Sequence, residues 1–165
     1  MSTRLEDLTF PTQQAAKLAL ADLDARDIPV VVTYTLRTTA EQAALYAQGR
    51  ESLITVNTLR ASAGLPAIGE ADNRDKVTNC NGVRIAEGGT GRSPHQLGTA
   101  LDVVPKGPNG NPIWPDNSDP RWTDIAYSFE QNGFEWGGRW TDFPDFPHYQ
   151  QGLKAGHSRP SWKYR

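Results

Sequence analysis

Three histidines and one cysteine are the strongest transition-metal ligands that this sequence offers. The histidines are His95, His148 and His157, and the cysteine is Cys80. A single cysteine excludes an internal disulfide framework and any zinc site built from several thiolates. A transition metal would therefore have to be held by histidines together with carboxylates.

His95 and Asp102 are the first two residues that can share a metal ion. They are seven positions apart, and metal bonds of ~2.0–2.2 Å require their side-chain ends to meet. Seven extended residues span ~23 Å, and a helix separates the two positions by ~10 Å along its axis. We therefore expect a turn at Gly98, with His95 on a loop and Asp102 on a buried strand, where an unpaired carboxylate is costly.

A second cluster lies in the segment FEWGGRWTDFPDFPHYQ. It contains His148 and, three positions earlier, Asp145, a carboxylate placed to act as a general base toward a metal-activated water. The ligands His95, Asp102 and His148 would leave one coordination position open. An open position is typical of catalytic rather than structural zinc sites.

The other candidates have simpler interpretations. His157 lies in a basic, polar tail over residues 152–165 and is interpreted as a surface residue. Cys80 lies between two asparagines with no histidine beside it, so a nucleophilic role has little support. Asp142 remains an alternative general base, although Asp145 has the better spacing.

Hydrophobic periodicity and capping signals predict the elements that position these residues. Thr38 and Glu41 form a capping box that opens a helix, and Gly133 is the expected stop of the last one. Residues 51–92 contain only a short helical pattern and are expected to be a long insertion or loop region. The expected helices cover residues 12–26, 38–49, 56–63 and 119–133, and the expected buried strands cover residues 29–36 and 99–104.

Length and charge exclude several classes of protein. The chain has 165 residues, which suits a single α+β domain over residues 1–165. Its 17 basic and 19 acidic residues give a net charge of −2, so no basic field exists to bind nucleic acid or an anionic membrane. We expect no membrane span and no secretory signal, because neither a long apolar run nor a basic start followed by one is present.

Three blocks of the sequence resemble the zinc D-alanyl-D-alanine peptidases. This family includes the vancomycin-resistance dipeptidases and carboxypeptidases and the L-alanyl-D-glutamate peptidases of phage endolysins and bacterial cell-wall hydrolases. Together the blocks cover most of residues 30–50 and 77–151. They are Ser93-x-His95-x-x-Gly98-x-Ala100-x-Asp102, Arg37-Thr38 through Leu45-Tyr46-Ala47-Gln48-Gly49-Arg50, and Trp136-Gly137-Gly138-x-Trp140 through Asp145-x-Pro147-His148.

The resemblance implies both a fold and a set of roles. The fold is a small α+β domain, similar to Hedgehog and the D-Ala-D-Ala peptidases, with helices flanking an antiparallel sheet that carries the metal. Zinc would be held by His95, Asp102 and His148. Asp145 would be the catalytic base and Arg37 would stabilise the oxyanion, while Ser93 would bind substrate and Trp136 would line the cleft.

The function implied by the resemblance is hydrolysis of the peptidoglycan stem peptide. An aspartate at position 145 favours the branch that cuts the L-Ala-D-Glu bond, as a monomeric phage-type endolysin or cell-wall hydrolase. Such a protein would be made in the cytoplasm and reach the wall after holin action or lysis. The alternatives are a D-Ala-D-Ala carboxypeptidase or dipeptidase, and a non-catalytic zinc or wall-binding module. Residues 51–76 and 87–91 are longer than the family pattern and would reshape the groove.

Overall fold

A computed structural model describes residues 1–83, 89 and 91–152. Within these residues four α-helices surround a four-stranded antiparallel sheet. The helices are α1 (Phe10–Ala25), α2 (Thr39–Ala47), α3 (Leu53–Ser62) and α4 (Arg121–Gln131), and the strands are β1 (Val30–Tyr34), β2 (Ala100–Pro105), β3 (Glu135–Trp136) and β4 (His148–Gln150). The predicted α+β class is confirmed.

The strand order is β1-β2-β4-β3, with every neighbouring pair antiparallel. In this register Asp102 on β2 lies opposite His148 on β4, and Glu135 on β3 lies opposite Gln150. Successive side chains of a strand point to opposite faces of the sheet. His148 and Gln150 therefore share one face, and Tyr149 lies on the other.

The hydrophobic core lies between that other face of the sheet and helices α1 and α4. Tyr149 stacks on Phe129 of α4 at a ring-centroid distance of 4.3 Å, and Leu101 is also fully buried there. Leu23 of α1 and Ile125 of α4 complete the same cluster. Because the core occupies one face, the polar side chains of β2 and β4 are left together on the opposite face.

Most predicted elements appear close to their expected bounds, and one was misjudged. The predicted strand at residues 29–36 forms as β1, but its residues are only partly buried. It lies at the edge of the sheet with a single strand partner, so the prediction of a buried strand was wrong. A β-branched run shows that a strand will form, but not whether it has one neighbour or two.

The long region after α2 is more ordered than the sequence suggests. Helix α3 begins at Leu53, three residues before the predicted start, because the Ser52 side chain accepts a hydrogen bond from the Thr55 amide at 3.2 Å. Arg60 is buried and donates from Nε to the Pro66 carbonyl at 2.7 Å. Of the glycine-rich stretch at 87–91 only residues 89 and 91 are described, and of the basic tail at 152–165 only residue 152.

Candidate metal centre

A tight turn brings His95 toward strand β2. Residues Pro94–Leu97 form a short 3-10 turn that is capped at Ser93, whose hydroxyl accepts a hydrogen bond from the His95 amide at 3.3 Å. Gly98 follows in the left-handed conformation at φ 65°, and a Cβ there would lie 3.2 Å from the Asp7 carbonyl oxygen. This is the turn predicted at Gly98, and only glycine adopts it without strain against its neighbours.

The antiparallel register supplies the other two residues of the cluster. Asp102 and His148 are direct partners across β2 and β4, which places their Cβ atoms within about 5.5 Å of each other. Both project from the face opposite the core, where His95 arrives from the turn. Three residues far apart in sequence therefore meet at one point.

The potential ligand atoms form a compact triangle. His95 Nε2 lies 3.0 Å from His148 Nδ1, and both nitrogens lie 3.2 Å from Asp102 Oδ1. Tetrahedral zinc with bonds of ~2.0–2.1 Å places its ligand atoms ~3.3–3.4 Å apart. The observed spacing therefore fits a single ion seated just above the triangle, with its fourth position open.

Each histidine is also held on the side away from the triangle. His95 Nδ1 donates to the Thr35 carbonyl at 2.8 Å, and His148 Nε2 donates to Gln150 Oε1 at 3.1 Å. Metal-bound histidines usually donate their second ring N–H in this way, which fixes the ring and its tautomer. The hydrogen bonds of both histidines are therefore those expected of metal ligands.

Electrostatics within the cluster favour a charged carboxylate. Burial alone would raise the pKa of Asp102, but the charges and hydrogen bonds of His95 and His148 outweigh it and hold that pKa far below its usual range. Burial likewise opposes protonation of His148, yet the hydrogen bond and charge of Asp102 raise its pKa above 6.5. A divalent metal ion bound by these three residues would replace the histidine protons that face Asp102.

Asp145 and Arg37 lie beside the cluster in one cleft. Burial, reinforced by the negative charge of Asp102, raises the pKa of Asp145. Arg37 donates from Nη1 to Gln42 Oε1 at 3.0 Å, whereas its buried Nε–H has no acceptor among the described residues. Burial lowers the pKa of Arg37 despite the nearby charge of Asp102.

The cleft has a volume of about 790 Å³ and two dissimilar walls. One wall is the sheet face with the cluster, and the other comes from α2, α3 and the chain that follows them. The second wall includes Gln48, Arg60, Ile68, Asp72 and Thr78. Three residues of the 51–76 region, Arg60, Ile68 and Asp72, therefore line the groove.

Three of the remaining candidate residues line the cleft, and Trp136 does not. Ser93 lines the cleft, although its hydroxyl also caps the His95 turn. Trp136 is 4% exposed, packs within the core and does not line the cleft, because strand alternation turns it away from the face of Glu135. Asp142 and Cys80 line the cleft too, while His157 lies outside the described residues.

Sequence reasoning missed three residues behind His148. Gln150, Glu135 and Trp140 all line the cleft and are linked to one another by hydrogen bonds. Gln150 could have been found, because a residue two positions after His148 on a strand shares its face. The positions of Glu135 and Trp140 in the cleft depend on the pairing of β3 with β4, and no local sequence pattern predicts that pairing.

The fold and the site define a class of domain: a small α+β domain with a His-Asp-His cluster, able to hold a metal ion, on an antiparallel sheet. Residues 87–151 match the sequence profile of a family described as D-alanyl-D-alanine carboxypeptidase. This match confirms the predicted resemblance and the predicted class of enzyme, a metallopeptidase.

Particular relatives agree with that class. The chain is 28% identical over 158 residues to the peptidoglycan L-alanyl-D-glutamate endopeptidase CwlK of Bacillus subtilis, covering 88% of this chain and 78% of that protein. It superposes on the L-Ala D-Glu endopeptidase ChiX of Serratia marcescens with a TM-score of 0.51 and 22% identity, covering 90% of this chain and 83% of that one.

A second branch of the same fold is equally similar in structure. The vancomycin-resistance D,D-pentapeptidase VanY, solved in complex with Zn(II), superposes with a TM-score of 0.51 and 15% identity, covering 87% of this chain and 72% of that one. These superpositions confirm the predicted fold. Separately, none of the helices in the described ranges has the length and apolar character that crossing a membrane requires.

Proposed function

We propose that this chain is a zinc-dependent peptidoglycan hydrolase that cleaves the L-Ala-D-Glu bond of the stem peptide. The observation that carries the proposal is the triangle of His95, Asp102 and His148, which lies beside Asp145 and Arg37 in one cleft. Binding alone does not need a general base at such a site. A hydrolytic reaction needs each of these groups.

The metal would be held by His95 Nε2, Asp102 Oδ1 and His148 Nδ1. When bound, zinc supplies Lewis acidity toward the scissile carbonyl and lowers the pKa of an adjacent water toward ~7. The protein contributes a rigid platform, since the His95 and His148 rings are both hydrogen-bonded on their far sides. With only three protein ligands, a bound zinc ion would have a further position available to water or substrate.

Asp145 is the proposed general base. Its carboxyl takes the proton of the attacking water and then gives it to the departing amine, which is the usual double duty of such a group. In the metal-free protein, burial and the charge of Asp102 raise the pKa of Asp145, and a bound dication would lower it again. Asp142 is exposed and remains the alternative base on the same cleft wall.

Arg37 is the proposed stabiliser of the oxyanion. Its guanidinium is held by Gln42, which in turn donates to the Cys80 carbonyl at 2.5 Å and to Thr78 Oγ1 at 3.2 Å. The buried Nε–H lacks an acceptor in the described part of the chain. A fixed donor of this kind stabilises developing negative charge without reorganising during the reaction.

The choice of bond follows the relatives. CwlK and ChiX are both named as L-Ala-D-Glu endopeptidases, and an aspartate at position 145 favours the same branch. We place Ser93 at the substrate because it lines the cleft next to His95. On this proposal the protein acts on the cell wall as a monomeric, bacteriolytic enzyme, either a phage-type endolysin released by lysis or a bacterial wall hydrolase.

A D-Ala-D-Ala carboxypeptidase is the second candidate, and one observation favours it. Such an enzyme needs a cation to bind the terminal carboxylate of its substrate. Arg60 lines the cleft, is 7% exposed, and pairs with no carboxylate in the described residues. The sequence alone gave no candidate for this carboxylate site.

One digestion experiment distinguishes the candidates. Purified peptidoglycan is incubated with the zinc-loaded protein, with and without a chelator, and new termini are identified by mass spectrometry. New D-Glu amino termini that disappear with the chelator are expected. Release of D-Ala would establish the carboxypeptidase instead, and the absence of any new terminus would leave a binding module.

A further inference from the structure

His148 begins a path of hydrogen bonds that leads away from the cluster. Its Nε2 lies 3.1 Å from Gln150 Oε1, and Gln150 Nε2 donates to Glu135 Oε2 at 3.0 Å. Trp140 Nε1 donates to the other oxygen, Glu135 Oε1, at 2.6 Å. The ring centroids of Trp140 and His148 lie 5.3 Å apart. This series of contacts therefore begins and ends at His148.

The direction of each bond in this path follows from one residue. A carboxylate accepts hydrogen bonds and donates none, so Glu135 obliges Gln150 to present its N–H₂ group toward it. The amide oxygen of Gln150 must then face His148. Since that oxygen only accepts, His148 Nε2 must carry a proton, so Nδ1, which faces His95 and Asp102, is the nitrogen that can give up its proton and bind the metal.

The second histidine needs no such arrangement. His95 Nδ1 faces the Thr35 carbonyl, a main-chain acceptor that cannot exchange its role for that of a donor. The partner of His148 is a side-chain amide, and turning that amide over would present a donor in place of an acceptor. The tautomer of His148 is therefore secure only while something fixes the amide of Gln150.

We propose that Glu135 is a positioning residue that acts through Gln150 to keep His148 in the tautomer able to bind the metal. Trp140 holds Glu135 in place by occupying its second oxygen. The proposal rests on the proposed role of His148 as a zinc ligand. It assigns to Glu135 an effect on metal affinity although its carboxylate hydrogen-bonds Gln150 and Trp140 rather than any of the three proposed ligands.

The sheet explains why these residues meet. Glu135 and Gln150 are direct partners across β3 and β4, and Gln150 lies two residues after His148 on the same face. Gln150 is 4% exposed, so little water competes for its amide. Partners behind a ligating histidine typically affect metal affinity by 10–100-fold.

The decisive test exchanges the two side chains. Glu135→Gln keeps the shape of residue 135 but leaves two amides that can both turn, and we expect zinc affinity to fall by about 10–100-fold. The double variant Glu135→Gln/Gln150→Glu puts the carboxylate next to His148, where it again accepts from Nε2. We expect the double variant to recover affinity to within a few-fold of the wild type.

Two further variants separate positioning from general damage. Trp140→Phe keeps an aromatic side chain, although a smaller one, and removes the N–H donor to Glu135, so we expect a several-fold loss of zinc affinity. Glu6→Gln removes the same charge at an exposed residue that does not line the cleft and should change nothing. The Tm of each metal-free variant shows whether it is folded.

The readouts do not depend on catalysis. Zinc affinity is measured by competition with a chromophoric chelator, and ¹⁵N spectra of the histidine rings in the zinc-loaded protein show which nitrogen of His148 carries the proton. A folded Glu135→Gln variant with wild-type affinity and a proton on Nε2 would overturn the inference, as would a folded double variant no better than Glu135→Gln. A wild-type protein that binds no zinc would instead overturn the proposed metal site itself.

Discussion

The two walls of the cleft are held together in different ways. The sheet wall is fixed by strand pairing, in which the register of β2, β3 and β4 places Asp102, His148 and Gln150 on one face. The opposite wall is fixed by single side chains that reach main-chain carbonyls. Gln48 donates to the Asp72 carbonyl at 2.8 Å, and Arg60 donates to the Pro66 carbonyl at 2.7 Å.

This difference suggests a division of labour. Strand pairing locates Asp102 and His148 by several hydrogen bonds at once, which gives the precision that a metal site requires. A wall held by single side chains can change shape between relatives without moving the metal. We therefore expect substitutions on the sheet wall to affect chemistry and those on the helical wall to affect substrate binding.

The largest effect is expected at Asp145. Asp145→Ala should lower kcat by ~10²–10⁴-fold, because the general base is lost while all three ligands remain. Zinc content, measured by atomic absorption, should stay stoichiometric. Asp142→Ala is the matched control and should keep most of the activity. The opposite ranking of these two variants would make Asp142 the base.

His148→Ala tests the metal ligands on the same wall. The variant should lose stoichiometric zinc, because a mixed carboxylate and histidine site with two remaining ligands binds weakly. Hydrolysis should fall together with zinc content. Equilibrium dialysis followed by metal analysis measures the loss. Full zinc occupancy in the purified variant would show that His148 is not a ligand.

The sheet wall was largely predictable from sequence. A turn at Gly98, a strand at Asp102 and the pair formed by Asp145 and His148 follow from spacing and local conformational preference. What failed there was the direction of a side chain: Trp136 was expected in the cleft but packs in the core. Its direction depends on the register of β3 against β4, and that register is fixed by contacts distant in sequence.

The helical wall was much less predictable. The short helix of this wall was predicted. The side chains that hydrogen-bond it to the following chain, however, have partners at sequence separations that match neither the helical nor the strand period. Asn57, for example, bonds both the amide and the carbonyl of Ile68, at 2.9 and 3.1 Å. Gly49 has a φ of 72°, and a Cβ there would lie 2.7 Å from the backbone of Asp75. Such close approaches become visible only in three dimensions.

Arg60→Met tests the helical wall. The variant keeps the aliphatic part of the side chain but removes the part-buried hydrogen bond to the Pro66 carbonyl, which should cost about 0.5–1.5 kcal/mol of unfolding free energy. We expect KM to rise with little change in kcat and no change in zinc affinity. Arg4→Met, at an exposed arginine, is the control. A fall in kcat with unchanged KM would contradict the proposed division between the walls.

The smallest expected effect is a pH dependence that arises from the cluster on the sheet wall. In the metal-free protein the pKa of His148 is raised above 6.5, because the hydrogen bond and charge of Asp102 outweigh burial. This stabilisation is fully present below pH 6.5 and is lost as the pH rises through the raised pKa. The raised pKa of Asp145 works in the same direction at lower pH. Asp102, with its lowered pKa, contributes above pH 3.8 and loses its contribution only in stronger acid.

Zinc should reverse the trend seen without metal. The ion binds neutral His148 and displaces its proton, so the rise in Tm caused by zinc should be larger at about pH 8.5 than at about pH 5.5. Differential scanning calorimetry with and without zinc at both pH values measures this rise. In His148→Ala the rise should be small at both, because the titrating ligand is gone. An equal rise at both pH values in the wild type would mean that His148 does not exchange a proton for the metal. Zinc binding would then give the sheet wall no pH dependence that distinguishes it from the helical wall.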